Sequence, residues 1–171
     1  PRKARRLARR IGRWARRQHW LDRTIWTSPL ARGAIVGRLL RRQGWCHRID
    51  PRLAEVDFGQ WDGKPWSTIA VAEIDAWRRD LMHQRPGGGE SVTALAGRVE
   101  GFCRQRLADG RGALVVGHGG WIRVARALTD RERLDATTWG RHPLAHGRLL
   151  ILDLTPLAAA TDGFAPLTDD H

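Results

Sequence analysis

The feature that most constrains this chain is a repeated unit: a short β-prone run, a turn, then a segment with helical periodicity. The most compact example is ALVVGHGGWIRVARAL, residues 113–128, in which Ala113 to Val116 precede His118 and two glycines, and a helical pattern follows Gly120. TIWT, residues 24–27, has the same form. It ends at Ser28-Pro29, after which Leu30, Ala34, Leu39 and Leu40 mark a helix to about Arg42, with Ser28 as the expected cap. Strands that alternate with helices, without an internal repeat, predict an α/β three-layer sandwich with a largely parallel central sheet.

The remaining segments fit that plan. Gly44 closes the second helix, and a connecting segment through Leu53 leads to the turn-rich DFGQWDGKPW. Ile69 to Leu81 is helical in pattern, with Ile74 and Trp77 on one side. RPGGGES, residues 85–91, is a glycine loop feeding a helix capped by Ser91, with Val92, Leu95, Val99 and Phe102 inward. A short helix near Arg131 to Trp139 and a last strand from Leu149 to Leu154 complete the pattern.

At 171 residues and 42% hydrophobic content, the chain has the size of one domain and the composition of a folded one. Its longest apolar stretches fall far short of the ~20 residues that cross a bilayer. Cys46 and Cys103 have no metal-ligand spacing, so both read as reduced packing residues, and a cytoplasmic location is the expectation. The net charge of +12 points elsewhere. Ten of the 30 basic residues lie within Arg2 to Arg23, opposite an apolar stripe of Ala4, Leu7, Ala8, Ile11, Trp14 and Ala15. Such a helix is a solvated arginine face, a surface for polyanions, or an Arg-rich amphipathic targeting segment, although the serines of a targeting segment are lacking.

In open α/β sheets, ligands bind beyond the carboxyl ends of the strands, where the next helix presents free N–H groups. His118 stands at such an end, with Gly119 and Gly120 beside it and Arg123 one turn into the helix. Arg32 falls in the first turn after TIWT, and RLAEVDFGQWDG offers Glu55 and Asp57 before a glycine turn. An imidazole, guanidiniums and a carboxylate gathered at helix N-termini suit a phosphate ester, because arginine's planar fork pairs phosphate oxygens. An HGG loop also serves lipase-type hydrolases, but the chain has no G-x-S-x-G elbow, no G-x-G-x-x-G and no Walker loop.

Taken in order, TSPLARG, LAEVDFGQWDG, RPGGGES and VVGHGGWIR resemble the S-S-P-L-x-R-A, L-x-E-x-D-F-G-x-W-E-G, P-G-G-E-S and V-x-H-G-G-x-x-R segments of the histidine phosphatases, in their α-ribazole phosphatase branch. HPLAHG resembles a further small segment near the family's end. The resemblance implies a phosphoglycerate mutase-like fold, one domain over residues 1–171, no cofactor and no metal. It places the phosphate-binding arginine on Arg32, the proton-donating glutamate on Glu55 and the second pocket histidine on His118. Ser91, Gly119 and Arg123 are further candidates. The implied partner is a phosphorylated small molecule, with α-ribazole 5′-phosphate the first expectation; a broad-range phosphatase or a phosphoglycerate mutase-like enzyme is the alternative. No specific nucleic acid and no membrane is expected as a partner.

One departure is large. The family's nucleophile lies in an R-H-G motif on its first strand, and no RHG or RHA occurs in these 171 residues. His19, His47, His83, His142, His146 and His171 do not replace it. The chain opens at Pro1 directly in a helical pattern, so the expectation is an N-terminally truncated domain lacking that strand. The 171 residues are then expected to be inactive alone. The alternative of another class is a noncatalytic polyanion-binding module built on the basic N-terminal helix.

Overall fold

A computed structural model describes residues 2–141 and 147–158. Helix α1 (Arg2–Arg17) precedes strand β1 (Thr24–Thr27). Helix α2 (Ala31–Arg41), strand β2 (Cys46–Ile49), helix α3 (Val71–Arg79), helix α4 (Val92–Ala108), strand β3 (Leu114–Val116) and helix α5 (Gly119–Asp130) follow, then the short helices α6 (Ala136–Arg141) and α7 (Thr155–Ala158). The strands form one parallel sheet in the order β2-β1-β3, with Ile25 beside Leu114 and Thr27 beside Val116.

Side chains alternate across a strand, and here that alternation divides the core. Ile25 and Leu114 face α1 and α2, where they pack with Ala8, Ile11, Val36 and Leu40. Trp26 and Val115 face the other way, onto Leu95, Val99, Val124 and their neighbours on α4 and α5. Helices therefore cover both faces, as the sequence pattern predicts. The stripe on α1 buries Ala8, Ile11 and Ala15, and Val92, Leu95, Val99 and Phe102 are all buried on α4.

Four local expectations need correction. Ser28 does not cap α2: the cap is Leu30, without a side-chain hydrogen bond. The connection before Leu53 contains β2, whose CHRI sequence is mostly exposed and has no apolar run to announce it. Its place comes from the ladder, including Cys46 N–H to Arg23 O and Asp50 N–H to Thr27 O. Residues 149–154 form no strand. They keep the alternation, with Leu152 and Leu154 against the α4/α5 cluster and Ile151 83% exposed, but they join no ladder. The short helix near 131–139 begins instead at Ala136, after Asp135 accepts the N–H groups of Thr137 and Thr138, each at 2.8 Å.

Two loops that flank the candidate site are locked backbone to backbone. Gly59 of DFGQ has φ +55°, and a Cβ there would strike Gly87 O and come within 2.6 Å of Gly89 N. Glu90 N–H also donates to Asp57 O at 2.7 Å. Gly63 has φ +77° but open space around it. Gly59→Ala should therefore cost about 2–5 kcal/mol, joining left-handed strain of ~1–2 kcal/mol to overpacking of ~1–3 kcal/mol. Gly63→Ala should show only the strain, and urea unfolding of the two variants separates the contributions.

Candidate active site

Because Thr27 and Val116 are paired in register, the segments leaving β1 and β3 emerge side by side. Ser28, fully buried, follows β1, and His118, 7% exposed, precedes α5. Ser28 Oγ lies 2.6 Å from His118 Nε2. On the other side of the ring, Arg32 Nε donates to His118 Nδ1 at 3.1 Å. A guanidinium can only donate, so Nδ1 carries no proton, and the ring's hydrogen sits on Nε2 and is donated to Ser28 Oγ. Arg32's two Nη groups carry no hydrogen bond among the described residues. Gly33 makes room for this contact, since a Cβ there would lie 3.2 Å from Ser28 Oγ.

Burial, then the Arg32 charge, lowers the His118 pKa, with Glu55 opposing and Arg98 adding to the effect. The positive ends of α2 and α5 act in the same direction. His118 is thus held neutral, in a defined tautomer, in a cationic setting.

Glu55 reaches the same place from the loop after Leu53. Its Oε1 accepts Gly120 N–H at 2.8 Å and Val56 N–H at 3.1 Å. A Cβ on Gly120 would lie 2.6 Å from that oxygen, so only glycine allows the carboxylate onto the start of α5. A Cβ on Gly119 would lie 3.3 Å from Arg123 Nη1 and 3.6 Å from Glu55 Oε2, which shows how closely these groups gather. Arg123 stands 5.9 Å from the Trp139 ring centroid, and its buried Nε has no partner among the described residues.

Arg32, Glu55, His118, Gly119 and Arg123 are therefore brought together. Ser91 is not: its Oγ caps α4 by accepting Ala94 N–H at 3.2 Å, and it lines a cavity of about 480 Å³ that Glu55 also borders. Sequence reasoning missed two residues. Ser28 was legible only as a possible cap. Arg98 donates to the carbonyls of Arg52, Ala54 and Glu55, and forms a 2.7 Å ion pair with Glu90, fixing the Glu55 loop. Its signal was the Glu of RPGGGES, whose partner eight residues on lies one helical face away. His47 bonds Thr27 and His83 bonds Asp80, away from this cluster. His142, His146, His171 and most of HPLAHG lie outside the described residues.

A buried imidazole, arginine donors and helix N-termini at the carboxyl edge of a parallel sheet make a seat for an oxyanion, with a carboxyl group beside it. An α/β protein with such a seat is of the phosphate-ester class. The chain belongs to the histidine phosphatase superfamily (branch 1), whose family profile matches residues 2–161, and the enzyme class is phosphatase. A mycobacterial glucosyl-3-phosphoglycerate phosphatase, solved in complex with VO3, is similar at 25% identity over 85% of this chain and 72% of its own, with a TM-score of 0.64. The same enzyme in complex with inorganic phosphate is 28% identical over 80% and 69%, with a TM-score of 0.63. The α-ribazole phosphatase from Shigella flexneri shares the fold, at 24% identity, 85% and 71% coverage and a TM-score of 0.59. No curated protein sequence gives a significant match. No helix among the described residues is long and apolar enough to cross a membrane.

The imidazole gives a pH signature. His118 binds its proton less readily in the fold than at its ordinary value of 6.5, so the unfolded chain takes up the proton first as pH falls. Stability is full above about 6.5 and declines below it, until the folded pKa is passed. His47 is lowered in the same direction, by burial and by Arg38 and Arg41. Thermal melts from pH 7.5 to 5 should show this acid loss, and His118→Gln should reduce but not abolish it. Nitrogen-15 spectra at pH 7.5 should show His118 protonated at Nε2.

Proposed function

We propose that this site hydrolyses a phosphate monoester through a phosphohistidine, with Arg32 and His118 holding the phosphoryl oxygens and Glu55 as the proton donor. The observation that carries the reading is the double engagement of His118. With Nδ1 accepting from Arg32 and Nε2 donating to Ser28, neither ring nitrogen is free to attack phosphorus; His118 meets a phosphoryl oxygen once the anion draws Arg32 off Nδ1 and that nitrogen takes up a proton. The attacking imidazole belongs to an Arg-His-Gly segment that these 171 residues do not contain.

In the complete reaction an imidazole nitrogen attacks phosphorus and the P–O bond to the alcohol breaks. The Glu55 carboxyl gives its proton to the departing oxygen. Water then attacks phosphorus as Glu55 takes one of its protons, the P–N bond breaks, and phosphate leaves. Arg32 stabilises the charge that builds on the equatorial oxygens. Once charge moves onto a bound phosphoryl group, its Nη donors are free to meet it. Gly120 N–H, already bonded to Glu55, orients the carboxylate at the edge of the seat.

Magnitudes decide what these residues do alone. Phosphate monoester hydrolysis requires accelerations of up to ~10²¹. A positioned acid contributes only ~10²–10⁴, so the seat and Glu55 without a nucleophile bind anions and do not turn over. For the ester we take two candidates: α-ribazole 5′-phosphate, on the motif resemblance, and glucosyl-3-phosphoglycerate, the substrate in the name of the mycobacterial phosphatase similar at 25–28% identity.

The 171-residue chain should bind orthovanadate or phosphate in calorimetry without releasing phosphate from either ester. Arg32→Ala with His118→Ala should abolish the binding, and an unchanged isotherm would remove both residues from the site. Glu55→Gln should keep or tighten it, because it removes a negative charge near the anion. With an upstream Arg-His-Gly strand supplied, both esters are to be compared by kcat/KM, and Glu55→Gln should then lower kcat by ~10²–10⁴.

A further inference from the structure

The net positive charge of this protein is carried by one layer. Residues 1–49 hold fifteen basic residues and a single acid, Asp22, whereas the remaining 122 hold fifteen basic residues and seventeen acids. A uniformly arginine-rich composition would not divide this way. The first part folds into α1, β1, α2 and β2, with α1 and α2 packed together on one face of the sheet. The ion pairs Arg52–Asp50, Arg98–Glu90, Arg106–Asp109 and Arg126–Asp130 all lie outside that layer. Among the described residues no arginine of α1 has a carboxylate partner.

Within this layer is a cavity of about 240 Å³, bordered by Gly12, Arg16, Trp20, Arg23, Gln43 and Trp45 among others, and by no carboxylate. Asp22 does not line it, and its Oδ1 accepts Thr24 N–H at 2.9 Å. The side chains of Arg16 and Arg23 have no hydrogen-bond or ion-pair partner among the described residues. Trp20 Nε1 is a covered donor that also lacks an acceptor. Gly12 sits inside α1, where glycine is unfavourable, and its missing side chain leaves the floor open. Arg16 Nη1 and Gln43 Oε1 lie 3.9 and 3.8 Å from where its Cβ would be. The cavity precedes β1 and β2, so it opens at the amino edge of the sheet, separated from the His118 seat by the ~10 Å length of a four-residue strand.

We infer that this cavity is a second anion site, which takes a compact polyphosphate, either free or as the phosphate chain of a nucleotide. Two guanidiniums from different segments, Arg16 on α1 and Arg23 before β1, supply the donors, and the Trp20 ring forms part of the wall. The volume is that of about eight waters at ~30 Å³ each, more than the five heavy atoms of one phosphate fill. The field of the layer draws such an anion in, and the cavity gives it a place.

The test is titration of the 171-residue chain with tripolyphosphate at 150 mM salt, followed through the Trp20 indole N–H resonance, assigned with Trp20→Phe. A saturable shift is expected, with orthophosphate at least ten-fold weaker. Arg16→Gln with Arg23→Gln should weaken binding ten-fold or more. Arg5→Gln with Arg6→Gln, which removes the same charge from the open face of α1, should change it less than two-fold, as should Arg32→Gln. Gly12→Ala should raise Tm and weaken binding together, a pairing that a merely structural glycine would not give. ATP binding as tightly as tripolyphosphate identifies the nucleotide's chain as the source; ATP binding ten-fold more weakly identifies the free polyphosphate. Equal losses in the two double variants, no shift at Trp20, or an oligonucleotide that binds with the same loss in both would each overturn the site. Because Arg32→Gln reports on the phosphatase seat separately, failure of one site is distinguishable from failure of the other.

Discussion

Two polar side chains buried between helices and sheet, Ser28 and His118, meet at 2.6 Å, and much of the carboxyl edge depends on that bond. Left unpaired, each group would cost ~1–3 kcal/mol of desolvation, so neither is tolerable there without the other. The pair joins the residue after β1 to the residue before α5, across 90 positions of sequence. Arg32 completes the arrangement by occupying the remaining ring nitrogen. The result is a ring with no rotational freedom, kept neutral by burial and by a neighbouring cation.

Glu55 depends on a different set of constraints. It comes from an irregular loop, and an irregular loop positions a carboxylate only if its backbone is held. Arg98 supplies that hold through three carbonyls, and Glu90 neutralises it. The interlocked backbones of residues 57–59 and 87–89 bring Glu90 within reach. The glycine-rich stretches thus act at one remove from the oxyanion seat, by letting two backbones approach closely enough to share hydrogen bonds.

The electrostatic division of the molecule follows the layers. On the α4/α5 side, charges are paired across short distances and contribute little net field. On the α1/α2 side the arginines have no carboxylate partner among the described residues, and their potentials add. The net positive field of the molecule therefore belongs to one face, apart from the cluster of Arg32, Glu55 and His118 at the carboxyl edge of the sheet.

The sequence by itself determined the elements with strong local signals. The apolar stripe of α1, the TIWT and LVV strands, the Ser91 cap and the inward face of α4 were legible because periodicity and capping are local properties. So was the placement of Arg32, Glu55 and His118 at the carboxyl edge, since each stands at a turn beside a recognisable motif. Only the tertiary structure decided the rest. β2 exists because β1 offers it a ladder, not because CHRI is β-prone. Residues 149–154 alternate correctly and still form no strand, because pairing needs a partner that composition cannot provide. Ser28 is the clearest case: the residue looks like a helix cap, but a hydroxyl bonds to whatever acceptor or donor the fold brings nearest, and the fold brings an imidazole from 90 residues away.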